Sequence, residues 1–348
     1  MGEQLALNVG PARMRMAYEC FGDVHAPPVL LVMGCGAQMI AWPEEFCAEL
    51  AHCGLRVIRF DNRDVGRSSR FPDLPGPDLP GPDLSGSDLP APGLPNLALP
   101  GSALPGPRLS GPGLAGPVPQ KVLTGDFSLP PYTLSDMAND IVGLLDVLHV
   151  RSAHLVGASL GGMIAQTMAV EHPGRTRSLT SMMSSTGDRA VGRPDTTALA
   201  GLGAPPQDRR GFIAWQIRAL RAVASPGFAF DEAAATERAE RAYDRGHDPA
   251  GMVRQFAAAL ASGDRTARLR SVRVPVLVIH GTDDVLIDMN GGRATAAAIP
   301  GAELAIIDGM GHSLPRELWP QLVLLIAHLI HRVETASRTG AGETLRAG

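Results

Sequence analysis

Cysteine is scarce in this sequence. The four present, Cys20, Cys35, Cys47 and Cys53, all lie near the N-terminus and show neither CxxC nor Cys/His ligand spacing. No metal site is expected from them, and they read as buried, reduced thiols. Positive charge is not in excess either: the formal charge is -4 and the arginines are scattered rather than striped, so the basic field that attracts nucleic acid is missing. No apolar run approaches membrane-spanning length, and Met1-Gly2-Glu3-Gln4-Leu5 lacks the positive start and apolar stretch of a signal peptide. These absences argue against nucleic acid and membrane as partners and predict a soluble, cytoplasmic protein.

What is present is enough apolar material for a large core. At 348 residues and 45% hydrophobic content, the chain can form one big α/β domain or two modest ones. Leu5 to Asn8 and Met14 to Glu19 read as an opening hairpin. Pro28 to Met33 is a continuous apolar strand, Trp42 to His52 has helical spacing ended by Gly54, and Leu55 to Asp61 makes the next strand. Strands alternating with helices predict a mostly parallel sheet with helices on both faces.

From Phe71 to Gln120 the composition changes to degenerate Pro-Gly-Pro-Asp-Leu copies. Prolines remove donors and glycines raise the cost of ordering, so 71–120 is expected to be an insertion outside the core, disordered or loosely extended. Thr133 and Asp136 mark a helix start, followed by a stripe at Met137, Ile141, Leu144, Leu145 and Leu148. Ser178 to Met183 fits another buried strand. The Ala- and Arg-rich stretch that follows shows helical patches at 212–223, 231–243 and 249–261 without strand signals, and 186–270 reads as a helical cap. A strand at 275–280, a helix at 292–299, a strand at 302–307 and a closing helix at 315–333 complete a core made of 1–70, 121–185 and 271–334. Residues 335–348 are expected to form a flexible tail.

The chemistry is signalled by Gly157-Ala158-Ser159-Leu160-Gly161. Among 40 glycines such a pentapeptide can arise by accident. Here a short apolar strand, Ala153 to Val156, precedes it, and helical spacing from Leu160 to Val170 follows, stopped by His172-Pro173-Gly174. That context is a nucleophile elbow, which lifts the Ser159 side chain clear of a sharp strand-to-helix turn.

A serine hydroxyl needs a base, and the base needs an acid to hold its tautomer. One order in which such triads occur places acid and then histidine after the serine, each at the carboxyl end of a later strand. In His280-Gly281-Thr282-Asp283-Asp284-Val285 two aspartates compete; Asp284 fits the Gly-x-x-Asp count from Gly281, whereas Asp283 reads as facing solvent or capping the turn. His312 follows the last strand in a loop where the glycines either side of Met310 leave freedom to turn the imidazole inward, while His154, His172 and His280 read as structural. The oxyanion needs two donors, assigned to the amides of Leu160 and Cys35; the Cys35 thiol itself has no assigned base. Gln38, Met39, Trp42, Met183, Trp215 and Met310 are candidates for the substrate pocket, each apolar one equally readable as core.

With these residues in hand the sequence resembles the α/β-hydrolase superfamily over almost all of its ordered length. Leu31-Val32-Met33-Gly34, Asp61-Asn62-Arg63-Asp64-Val65-Gly66-Arg67-Ser68 and Gly309-Met310-Gly311-His312 are similar to the branch that includes aclacinomycin methylesterase. The resemblance implies an α/β-hydrolase fold with a helical cap, the triad Ser159, Asp284 and His312, an oxyanion role for Cys35, and no cofactor. The substrate implied is a small-molecule carboxylic ester, such as a methyl ester of a polyketide-like compound. Lactonase, thioesterase, carbon-carbon bond hydrolase and perhydrolase activities use the same triad, and a non-catalytic ligand receptor is the alternative of another class. The Arg63-Asp64 stretch reads as tying down a turn.

Overall fold

The structure is a computed structural model and describes residues 2–71, 132–198, 201–203 and 205–346. Most of the 71–120 segment therefore lies outside the described residues. Among the described residues eight strands form one sheet, in the order β1-β2-β4-β3-β5-β6-β7-β8. They are β1 (Gln4–Val9), β2 (Met14–Phe21), β3 (Pro28–Val32), β4 (Arg56–Phe60), β5 (Ala153–Ala158), β6 (Thr176–Met182), β7 (Val276–Gly281) and β8 (Glu303–Ile307). The β1-β2 and β2-β4 pairs are antiparallel, and every other pairing in the sheet is parallel.

The central strands are apolar at successive positions because both sheet faces are covered. Leu30 and Val32 of β3, Ile58 of β4 and Leu155 of β5 join one core cluster, with helices α2 (Leu134–Val147) and α3 (Leu160–Glu171). Val29, Leu31, Val57 and Val156 point the other way, into a second cluster with α1 (Glu44–His52) and the C-terminal helix. Helix α2 opens as its sequence requires, with a capping box between Thr133 and Asp136. Among the described residues the helices α4 (Arg209–Ala222), α5 (Glu232–Gly246), α6 (Pro249–Ser262) and α7 (Thr266–Leu269) fall between β6 and β7, and α8 (Asn290–Ala298) joins β7 to β8.

Three expectations change. Helix α1 begins at Glu44 rather than Trp42, because Pro43 disfavours helical geometry at the residue before it, and Trp42 is extended (φ -85°, ψ 103°) after a 3-10 turn at Met39–Ala41. The closing helix, α9 (Trp319–Arg346), runs past Val333 through the segment expected to be a flexible tail. Its first half is nucleated by packing of Leu322, Ile326 and Ile330 in the second core cluster, and extending an existing helix costs far less than starting one. Of the cysteines, all free, only Cys47 is fully buried.

Asp64, with φ 71°, organises a junction that sequence reading gave only as a tied turn. Its carboxylate accepts from the Phe71 amide (2.8 Å) and the Tyr132 hydroxyl (2.6 Å), and it pairs with Arg254 of α6. Arg63 beside it makes a double hydrogen bond to buried Asp140 of α2. The two described ends that flank residues 72–131 therefore meet at one carboxylate.

His154, wholly buried in β5, accepts from or donates to Ser178 through Nδ1 (2.7 Å) and lies 3.0 Å from Glu334 of α9 through Nε2. A neutral ring satisfies both contacts, with Ser178 donating to Nδ1 and Nε2 donating to the carboxylate. Burial opposes the charged form and lowers the His154 pKa from 6.5 to about 4. The folded pKa of this base is below the unfolded one, so the unfolded chain binds more protons between the two values. Stability should be complete above pH 6.5 and fall toward pH 4 by an amount on the order of 2–3 kcal/mol, and His154→Gln should flatten that part of a thermal-unfolding pH series.

Candidate active site

Ser159 stands between the last residue of β5 and the first of α3, with φ 58° and ψ -123°, a conformation that an L-residue holds only when its surroundings impose it. Its own backbone is held on both sides: the Ser159 amide donates to the Met182 carbonyl of β6 (2.9 Å), and its carbonyl accepts from the Gly162 amide (2.9 Å) and the Ser184 hydroxyl (2.8 Å). Gly157 and Gly161 are required by close approach. A Cβ on Gly157 would stand 2.2 Å from the Gly161 carbonyl oxygen, and one on Gly161 would stand 2.0 Å from that of Val32. Gly161→Ala must push β3 and α3 apart, and about 3 kcal/mol of stability should be lost in chemical denaturation.

The parallel strands β3, β5, β7 and β8 bring the loops at their carboxyl ends to one edge of the sheet. The loop after β3 reaches Ser159, since a Cβ on Gly34 would lie 3.1 Å from that of Ser159. The loop is pinned from α6: the Gly36 amide donates to Gln255 (2.8 Å) and the Cys35 thiol to the Met252 carbonyl (3.4 Å). The amides of Cys35 and Leu160 have no hydrogen-bond partner among the described residues. Leu160 also opens α3, where the helix dipole favours negative charge. Burial pushes the Cys35 thiol up to about 12, so its sulfur is no nucleophile near neutral pH.

Asp284 and His312 meet directly. The His312 Nδ1 donates to Asp284 Oδ2 at 2.8 Å, and Asp284 Oδ1 accepts from the amides of Leu286 and Ile287, both at 2.9 Å. Burial alone would raise the Asp284 pKa, but hydrogen bonds from His280, His312 and the Ile287 amide outweigh it and hold the carboxyl well below its ordinary value. Asp283 is exposed and accepts from the Thr282 hydroxyl (2.6 Å) instead. Ser159 Oγ and His312 Nε2 have no hydrogen-bond partner among the described residues.

The candidate pocket residues separate. Gln38 is committed to α5, donating to the Ala242 and Gly246 carbonyls (2.7 and 3.1 Å) and accepting from Arg245 (2.6 Å). Trp42, Met183 and Met310 are buried in the second core cluster, and Trp42 stacks on Phe46 with ring centroids 5.6 Å apart. Met39 is also buried, its amide donating to Asp61 (2.7 Å). Trp215 of α4 donates to the Leu202 carbonyl (2.8 Å) and packs on Phe212.

Sequence reading missed the strap that holds the histidine loop. The His312 amide donates to the Val223 carbonyl (3.0 Å), that of Gly311 to the buried Ser225 hydroxyl (2.9 Å), and that of Gly227 to the Gly309 carbonyl (3.0 Å). Ser225→Ala should leave the Gly311 amide unsatisfied and lower kcat about tenfold with KM little changed, by loosening the loop that carries His312.

No group of three or more His, Cys, Asp or Glu side chains suited to a metal occurs among the described residues, nor does a helix long and apolar enough to cross a membrane. A family model described as alpha/beta hydrolase fold matches residues 27–315. The chain is 27% identical over 317 residues to rhodomycin D methylesterase DauP of Streptomyces sp. (strain C5), covering 85% of this chain and 88% of the relative. It is 27% identical over 321 residues to rhodomycin D methylesterase DnrP of Streptomyces peucetius, with the same coverage. In fold it is similar to the enol-lactonase of Burkholderia xenovorans LB400, with a TM-score of 0.63 at 20% identity, covering 94% of this chain and 100% of that one.

Proposed function

This chain belongs to the alpha/beta hydrolase fold family, and from that premise we propose that it is a cofactor-independent serine hydrolase of a small-molecule carboxylic ester. The observation that carries the proposal is the buried Asp284, hydrogen-bonded to His312 on the same sheet edge as the elbow serine. In the proposed reaction Ser159 Oγ attacks the ester carbonyl carbon while His312 Nε2 takes its proton. The Leu160 and Cys35 amides receive the oxyanion, and Asp284 stabilises the imidazolium through Nδ1-H. Collapse breaks the bond to the leaving oxygen, His312 protonates the departing alcohol, and an acyl-enzyme remains on Ser159. Water then gives a proton to His312 and attacks the acyl carbon, releasing the carboxylic acid and restoring the serine.

For the ester itself we favour a methyl ester on a polyketide-like scaffold, since both methylesterases above align with most of this chain. Purified protein offered methyl esters of aromatic polyketide acids, lactones and carbon-carbon hydrolase substrates should release methanol and one acid per turnover from the first group. Turnover of only the lactones or the carbon-carbon substrates would overturn the methyl-ester assignment.

A further inference from the structure

We propose that His280 is a positioning residue of this site, a second imidazole that fixes the turn holding the carboxylate on which His312 depends. The inference rests on the serine-hydrolase reading above. His280 is wholly buried at the end of β7. Its Nε2 lies 2.8 Å from the Ile287 carbonyl oxygen and 3.3 Å from Asp284 Oδ2, the same oxygen that His312 holds at 2.8 Å. A carbonyl can only accept, so Nε2 carries a hydrogen and donates it to Ile287. Nδ1 is buried with no partner among the described residues, and the backbone of α8 is pressed against it: a Cβ on Gly292 would come within 2.4 Å. His280 thus holds the far end of the turn at the Ile287 carbonyl, and the amides of Leu286 and Ile287 hold Asp284 Oδ1 from the same turn. With Oδ1 held by these amides and Oδ2 by His312, a fixed turn keeps Asp284 from rotating away from His312.

The test compares wild type, His280→Leu, His280→Gln and Ser159→Ala with a p-nitrophenyl ester. His280→Leu removes the donor and should lower kcat about tenfold, the lower end of what groups orienting a reactive ligand carry, with KM within about twofold. His280→Gln keeps an N-H at similar reach and should recover most of the loss. Unchanged kcat in folded His280→Leu, or equal losses in both variants, would overturn the inference while leaving the reading itself intact. If Ser159→Ala hydrolyses the ester like wild type, the reading fails instead. Should the Leu variant not fold, 15N NMR of the native protein decides: His280 should carry hydrogen on Nε2, the nitrogen facing the Ile287 carbonyl, and an Nε2 without hydrogen would overturn the proposal.

Discussion

Ser159→Ala should reduce ester hydrolysis by a factor of about 10⁴ to 10⁶, the range found when the nucleophile of a serine triad is removed. The loss should appear in kcat, because the missing oxygen forms its bond only during reaction. Fold and stability should be nearly untouched. The hydroxyl has no hydrogen-bond partner among the described residues, and the bonds that impose φ 58° all come from the Ser159 backbone, which alanine keeps. A circular-dichroism melt beside the rate assay separates the two effects. A strong loss of stability with only a minor loss of rate would make Ser159 a structural residue.

Asp284→Asn should cost about 10⁴ in kcat, since an amide cannot stabilise the imidazolium and can impose the wrong tautomer on His312. Asp283→Asn should cost little, because that side chain is exposed and contacts Thr282 rather than the histidine. The two variants differ by one position and not in chemistry, so their ratio isolates geometry. Asp284 also carries a pH signature. Its folded pKa lies below the unfolded value of 3.8, so its contribution to stability is present above that pH and is lost as pH falls below it. Asp284→Asn should remove this acid-side loss from a denaturation series, and Asp283→Asn should not.

These expectations trace to how locally each feature is encoded. The elbow was legible because strand, turn and helix are contiguous, and the close approaches at Gly157 and Gly161 explain why small residues stand there. The mostly parallel sheet followed from strands alternating with helices, with strand boundaries displaced by a residue or two, whereas the strand order appears only in the structure. Trp42 was misplaced into a helix because periodicity was read through Pro43 without weighing its effect on the preceding residue. The closing helix runs beyond its expected end because small polar residues carry no burial signal, although a packed helix can extend through them.

The supports of the site were not legible, and the reason is distance along the chain. Ser225 reaches the histidine loop across a separation of 86 residues, and Gln255 reaches Gly36 across 219. No periodicity or spacing encodes such contacts. His280 shows a different limit: a histidine at a strand end reads the same whether it packs in the core or supports an acid's turn, and only the bond to Ile287 separates the two. The six pocket candidates show a third, since the apolar side chains that could touch a substrate are also those that fill a core, as Trp42 and Met310 do.

The central claim is that Ser159 becomes covalently bonded during turnover. Incubation with a fluorophosphonate, followed by intact-protein and peptide mass spectrometry, tests it directly. The account predicts one adduct per chain, located on Ser159, absent from Ser159→Ala and formed in step with loss of esterase activity. Full activity retained without an adduct, or inactivation through an adduct at another residue, would contradict it.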